Sequence, residues 1–269
     1  NKTAVEKYLQ NMSDKLRAYF DSDPGSFFRS FFCDSIELKG ANWTDDLPQE
    51  FKQRRGYAIE PYLSLLISKE TKLTPDFSDT LARVRYDFSK TLSELFMERF
   101  ILPFHNWCHE NGVMSRYQAY GHPWIVTDMI DGYLVPDIPE SDQWLFNRGW
   151  VSGAEIDQIR YATFNKYASS GGHLENRKVI SCEAMTNTSG VFEASLEYIK
   201  QATDINFITD INHLVLHGYN YSPKEAGFPG WIRFGTYFSP YNPWWPYVSL
   251  WSEYTARLSA LFQEASPVS

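Results

Sequence analysis

Two periods alternate along this chain. From Ala4 to Phe20, the residues Val5, Tyr8, Leu9, Met12, Leu16, Tyr19 and Phe20 recur at helical spacing and stop before Asp23-Pro24-Gly25, predicting an opening helix with no strand ahead of it. Leu47 to Arg54 and Pro61 to Ile67 read as two short helices parted near Arg55-Gly56. A long amphipathic helix is predicted from Asp76 to Asn111, with Leu81, Val84, Phe88, Leu92, Leu95, Phe96 and Phe100 on one side. Pro103 should kink or break it, because proline removes a hydrogen bond and crowds the preceding turn. Later helices are expected from Ala154 to about Ser169, from about Val191 to Ala202, and from Tyr247 to Glu264. Between the helices lie apolar runs of strand character, Phe27 to Leu38, Val113 to Tyr120, Tyr133 to Ile138, Lys178 to Cys182 and Ile211 to Tyr219.

Regular alternation of strand and helix is the mark of parallel β/α units joined by right-handed crossovers. The expected class is therefore α/β, and the expected architecture a (β/α)8 TIM-type barrel. Such a barrel needs eight strands, and five are readable here. The chain also opens on a helix and closes with Ser266-Pro-Val-Ser269, so these units are expected to be the later part of a barrel in a longer polypeptide. The 269 residues fit one large domain spanning 1–269.

Three of the runs end in acids. Phe31-Phe-Cys-Asp-Ser-Ile-Glu37 closes on Asp34 and Glu37, Tyr133-Leu-Val-Pro-Asp-Ile-Pro-Glu140 on Asp137 and Glu140, and Val179-Ile-Ser-Cys-Glu183 on Glu183. Barrel enzymes keep their catalytic groups where strands give way to loops, so three acidic strand ends point to one shared site. The end of the second strand adds Arg116, Gln118 and Tyr120. His213 and His217 stand four apart in a strand pattern, which puts them on one face; they could bind sugar hydroxyls, form a two-histidine metal site or, for one of them, be a satisfied core residue. His122 and His173 are equally open to a ligand or a structural reading. Trp231, Tyr237, Tyr241, Trp244 and Trp245 fall in a stretch rich in proline and glycine, where they either stack on sugar rings or plug the barrel. Asn220 and Asn242 are placed to orient hydroxyls.

Composition narrows the partners. Lys plus Arg number 25 against 33 Asp plus Glu, a net charge of −8, and no basic run exceeds Arg54-Arg55. That excludes a nucleic-acid backbone as partner, since such binding relies on clustered cations. A neutral ligand or a bound cation suits the balance better. Aromatics make up 17%, enough for a core with rings left over for a surface. Cys33, Cys108 and Cys182 have no metal-type spacing and are expected as buried thiols. No run of 18 apolar residues occurs, so no membrane span is expected.

Several words of the sequence together resemble glycoside hydrolase family 106, the α-L-rhamnosidases. These are Asp34-Ser-Ile-Glu37 with Asn42-Trp43-Thr44, Arg54-Arg-Gly-Tyr57, Gln118-Ala-Tyr-Gly121, Asp137-Ile-Pro139 with Trp144, and Ser181-Cys-Glu-Ala-Met-Thr186. His217-Gly-Tyr-Asn-Tyr-Ser-Pro223, Phe228-Pro-Gly-Trp231 and Phe234-Gly-Thr-Tyr-Phe-Ser-Pro-Tyr-Asn-Pro-Trp-Trp245 complete the set. The resemblance implies a bacterial enzyme, periplasmic or extracellular, that removes terminal L-rhamnose from carbohydrate with inversion. It also implies a calcium ion in the sugar site. It makes Glu37 the general acid and leaves the base to Glu140 or Glu183, with Asp142 close to Trp144 in the same pattern. Asp34, Asn42, Trp43, Gln118, Tyr120, Asp137, Asp142, His213, His217, Asn220, Trp231, Tyr237, Asn242, Trp244 and Trp245 are then the candidate sugar-binding residues. Another barrel glycosidase, retaining its anomeric configuration, and a sugar-binding relative without catalysis are the alternatives. For inversion two carboxyls stand roughly 6.5–9.5 Å apart, against about 5–5.5 Å for retention.

Overall fold

Pro103 does not break its helix. In the computed structural model, which describes residues 1–37, 42–67, 74–119, 128–146, 158–187, 190–231 and 234–265, helix α4 (Pro75–Phe96) passes through a π-helical turn (Met97–Ile101) straight into α5 (Leu102–Glu110). Pro103 is the second residue of α5, and the wider π turn ahead of it absorbs the hydrogen bond that proline cannot donate. Contacts divide the chain into two compact units, Asn1–Phe31 with Ile36–Met114 and Gly121–Asp128, and Phe32–Ser35 with Ser115–Tyr120 and Met129–Ser269.

The first unit is helical. Helix α1 (Lys2–Phe20) is capped by the Asn1 side chain, which accepts from the Ala4 amide, and it turns Leu9 and Ser13 inward, where Trp107 of α5 donates to the Ser13 hydroxyl. Strand β1 (Ser30–Cys33) follows, then α2 (Leu47–Arg55) and the short α3 (Leu63–Ile67). Arg54 reaches Glu50, Glu94 and Glu98, and Arg99 reaches Asp46 and Glu50. Gly56 ends α2 in the left-handed region (φ 84°), and Tyr57 donates to Asp87. The Arg54-Arg-Gly-Tyr57 word thus fastens α2 to α4.

The second unit carries the sheet. Its elements are β2 (Met114–Tyr117), α6 (Met129–Leu134), β3 (Ile138–Phe146), α7 (Gln158–Leu174), β4 (Ser181–Asn187), α8 (Leu196–Ile208), β5 (His213–Leu216) and α9 (Val248–Glu264). The five strands lie in the order β1-β2-β3-β4-β5, and β2·β3, β3·β4 and β4·β5 are parallel. Neighbours in sequence are thus neighbours in the sheet, as in an arc of a β/α barrel. Five strands are described where a closed barrel has eight.

Two strands lie later than the pattern predicts: β4 begins at Ser181 and runs to Asn187, so Glu183 lies within it and not where a Lys178 to Cys182 strand gives way to a loop, and β3 is displaced further. Tyr133 and Leu134 are helical, and the strand begins at Ile138 and runs to Phe146. Pro136 separates the two, since it ends the helix and cannot donate to a ladder. The polar run Glu140-Ser-Asp-Gln143 masks the strand, because both of its faces find polar partners. On the outer face Ser141 donates to Asn165 of α7 (2.6 Å), Asn165 to Asn206 of α8 (2.8 Å), and Asn206 back to Gln143 (2.8 Å). Each of these side chains is buried and satisfied, so the network fixes where both helices sit on the sheet. Ser195 caps α8 by accepting from the Tyr198 amide, which starts that helix at Leu196, later than expected. Cys108 and Cys182 are buried as expected, whereas Cys33 is only partly so.

A β-carbon on Gly171 of α7 would sit 2.6 Å from the Tyr133 Cβ and 3.1 Å from that residue's backbone. Gly171→Ala is therefore expected to destabilise the second unit by about 1–3 kcal/mol, read as a lowered thermal midpoint. An unchanged midpoint would contradict the close approach of α6 to α7.

Candidate active site

Side chains alternate along a strand, so Glu140 and Asp142 share the inner face of β3, opposite the network of Ser141 and Gln143. Parallel pairing sets Glu140 beside Ser181, and Asp142 beside Glu183, which in turn stands beside Val215. Beyond Glu183 the register slips, with Trp144 opposite Thr186, so β4 holds one residue more than β3. Met185 takes up the extra residue in the left-handed region (φ 73°), an unusual place for a side chain of its size. The bulge reverses parity. Without it Thr186 would face away from Glu183; with it both reach the same histidine.

Glu140 lies at the floor. Its side chain has no exposure, accepting from Ser181 Oγ at 2.6 Å and from Gln118 Nε2 at 3.2 Å. Arg116 Nε stands 3.0 Å from Glu140 Oε2 but outside hydrogen-bond geometry, so their attraction is that of charges. The Arg116 guanidinium also lies 4.2 Å over the ring of Phe32. Gln118 Nε2 donates in addition to Glu183 Oε2 at 2.8 Å, linking floor to mouth.

Glu183 is held from its other side by His217 Nδ1, 3.0 Å from Oε1. An ionised carboxylate can only accept, so Nδ1 carries the proton, and Thr186 Oγ1, 3.1 Å from the same nitrogen, is left to donate towards Asp142 Oδ1 at 3.5 Å. Asp142 also accepts from Trp144 Nε1 at 2.7 Å. Asp34 takes the Ser35 amide at 2.7 Å.

These environments divide the acids. Burial pushes Glu140 up to about 7, outweighing the charge of Arg116 and the hydrogen bonds from Ser181 and Gln118. Burial raises Asp142 well above the ordinary range, with the charge of Glu183 adding to it, and burial and Glu183 likewise raise Asp34. Glu183 alone goes the other way: burial pulls it up, but the bonds from His217 and Gln118 win and hold it below its ordinary value. Burial, with Asp34 beside it, pushes the Cys33 thiol up to about 12, so it is no nucleophile at neutral pH.

Of the residues expected from sequence, Asp34, Gln118, Glu140, Asp142, Glu183 and His217 gather here. Glu37 and the side chains of Asn42 and Trp43 are exposed and belong to the first unit, and Tyr120 and His122 lie outside the described residues. Asp137 is not at the mouth. It precedes β3, accepts from the Ser115 amide (2.8 Å) and hydroxyl (3.1 Å) and pairs with Arg177 at 3.6 Å, bracing the opposite end of the strands. His213 opens β5 level with Ser181, and its exposed side chain is four residues, roughly 13 Å of extended chain, from His217. The two histidines therefore do not share a metal. Tyr237, Asn242 and Trp244 are structural: Tyr237 donates to the Pro229 carbonyl, Asn242 to that of Tyr237 and Trp244 to that of Ala194. Trp245 leans on Trp244, while Asn220 is partly and Trp231 largely exposed.

Ser181 and Thr186 complete the site without having been singled out. Ser181 was legible by the period of two from Glu183; Thr186 was not, because the bulge at Met185 breaks that period.

The family model described as alpha-L-rhamnosidase matches residues 1–269. The solved rhamnosidase from Novosphingobium sp. PP1Y superposes with a TM-score of 0.75 at 25% identity, over 98% of this chain and 25% of that one. A Formosa agariphila protein bearing the name "Putative beta-glucuronidase" is 26% identical over 248 residues, which are 91% of this chain and 19% of that protein. The chain thus spans a quarter or less of the length of these relatives. With these likenesses the parallel strands read as half of a barrel.

Between the ordinary carboxyl value of 4.5 and about 7, folded Glu140 keeps a proton that the unfolded chain has lost. Stability should then fall as pH rises through that window, by on the order of 3 kcal/mol for this group. Denaturant unfolding from pH 4.5 to 7.5 is expected to show the decline, and Glu140→Gln to flatten it. Asp34 and Asp142 contribute with the same sign and keep part of the slope.

Proposed function

Because the chain belongs to the alpha-L-rhamnosidase family of glycoside hydrolases, we propose that it forms the catalytic part of an enzyme that releases terminal α-L-rhamnose with inversion, Glu183 acting as general base. The observation that carries this is the contrast between the two candidate bases. None of the Glu140 side chain meets solvent, so no water reaches its carboxyl, and burial pushes it up to about 7, which leaves it a poor proton acceptor. Glu183 is one-fifth exposed, oriented from both sides and held ionised. A base must reach the proton it takes and be unprotonated when it does so.

The family resemblance gives the role of general acid to Glu37. Inversion asks that an acid protonate the leaving oxygen while a base, here Glu183, deprotonates the water that attacks the anomeric carbon from the opposite face. His217 fixes the Glu183 carboxylate, and Gln118 ties it to the floor. The five strands are taken as part of a (β/α)8 barrel that the longer protein completes.

Calcium fits the mouth by donor type. Asp34 and Asp142 offer hard oxygens, and both are raised, chiefly by burial and next by the charge of Glu183, so a cation beside them would offset a cost that both now bear. Among the described residues no three acids of the mouth lie within 4.8 Å of one another, so these two carboxylates would hold the ion with the remaining positions left to backbone, water and sugar oxygens. When bound it would supply the missing positive charge and hold sugar hydroxyls. The same crowding of acids disfavours a uronate, which brings one more carboxylate, and favours a neutral deoxy sugar over a glucuronide.

An aryl α-L-rhamnoside should be turned over and an aryl β-glucuronide should not. Glu183→Gln is expected to lose about 10²–10⁴-fold in kcat. Azide should restore part of that rate and give the β-glycosyl azide, the inverted product. An α-azide would establish retention, and an unimpaired variant would remove Glu183 from the mechanism. Chelation is expected to lower activity and the thermal midpoint together, and added calcium to restore both; indifference to chelator would remove the ion.

A further inference from the structure

A second concave surface begins two residues past His217. Residues of Tyr219–Gly230 and Tyr237–Tyr241 line a cleft of about 860 Å³, within the size range of small-molecule sites. Four rings on it stand in water: Tyr219 at 71% exposure, Tyr221 at 78%, Phe228 at 70% and Tyr241 at 69%. Exposed rings clustered in this way mark a recognition surface.

The rings are set in an anchored frame. Phe228 stacks on Phe192 at 6.1 Å and meets Tyr241 edge-on at 5.7 Å. Ser222 Oγ accepts from the Trp231 amide at 3.1 Å and donates to the Asn220 carbonyl at 3.4 Å. Gly230 (φ 106°) lets the chain pass close to Ser222, where a β-carbon would fall 2.2 Å from Oγ. The frame is also bound to the mouth. Thr236 donates through its amide to the His217 carbonyl at 2.9 Å and through its hydroxyl to the Met185 carbonyl at 2.7 Å. Thr236 thus grips both the bulge that shapes the mouth and the residue that orients Glu183.

We propose that this cleft binds the saccharide to which the terminal rhamnose is attached, as the leaving-group subsite of the hydrolase. Continuity with His217 places its occupant at the site where the glycosidic bond is cut. Its chemistry is that of a sugar partner: flat aromatic faces suit the C–H faces of pyranose rings, and the partly exposed Asn220 among the lining residues offers a hydrogen-bonding amide beside them. The inference rests on the hydrolase reading above and adds to it the rings that grip the remainder of the substrate.

Tyr221 and Tyr241 are exposed enough to truncate without disturbing the fold. Tyr221→Ala and Tyr241→Ala should each lower kcat/KM on rhamnose-capped di- and trisaccharides by about 5–10-fold, chiefly through KM, and lower it less on methyl α-L-rhamnoside, whose leaving group is too small to span the rings. Equal losses on both substrates, or none on either, would overturn the subsite. Saturation-transfer NMR with the rhamnose-free di- and trisaccharides separates the two readings. Binding that depends on Tyr221 and Tyr241 supports the subsite even if no rhamnoside is hydrolysed, a result that would sink the hydrolase reading alone. Absence of such binding, as when another part of the longer protein covers the rings, would overturn it.

Discussion

A carboxylate sealed beneath the mouth of a parallel sheet is the constraint on which the site depends. Glu140 has no exposure, so its charge is tolerable only in company, and that company comes from separate strands: Arg116 on β2, Gln118 just past it and Ser181 on β4. Satisfying one buried acid therefore sets the relative height of three neighbouring strands. Gln118, shared with Glu183 at 2.8 Å, carries that register up to the residue poised for chemistry. An apolar floor would fill the space as well, yet it would leave Gln118 without its lower partner and free to turn.

Polar chemistry on the other side of β3 does the complementary work. Ser141 and Gln143 tie the strand to α7 and α8 through Asn165 and Asn206. Both faces of β3 are thus fixed by directional bonds, and its rotation about its own axis is determined twice over. This explains why a strand so polar lies at the heart of the unit, where apolar pattern alone would have begun it five residues earlier.

The sequence was most informative where one face is apolar. Val179, Ile180 and Cys182 announced β4, although it begins at Ser181 and carries Glu183 within it and not at its end, and the alternation of strand with helix announced parallel pairing. It was least informative where bonding replaced burial: β3 was displaced because Glu140 to Gln143 read as loop, and Asp137 was set at the mouth because an acid after an apolar run looks alike at either end of a strand. The aromatic stretch stayed open between stacking and plugging for a related reason. Tyr237 and Trp244 spend their polar atoms on backbone carbonyls, which no spacing rule reveals, while Tyr219 and Tyr221 carry no periodic signal yet stay in water. The bulge at Met185 was hidden as well, since a left-handed methionine is imposed by its surroundings and is not written in its own preference.

The bulge also decides how charge is shared. By turning Thr186 inward it gives His217 Nδ1 two oxygens, and the hydroxyl then relays towards Asp142. Glu183 thereby gains donors from two directions that outweigh its burial, whereas for Asp142 and Asp34 burial, with the charge of Glu183 adding to it, outweighs the bonds they accept. Opposite shifts in neighbouring carboxyls divide labour without any difference in chemical type: one acid is kept ionised and turned to water, and two are left seeking a proton or a cation. The aromatic surface that follows His217 is joined to this mouth through Thr236, which holds the His217 and Met185 carbonyls, so the bulge that divides the acids also anchors the rings beyond them.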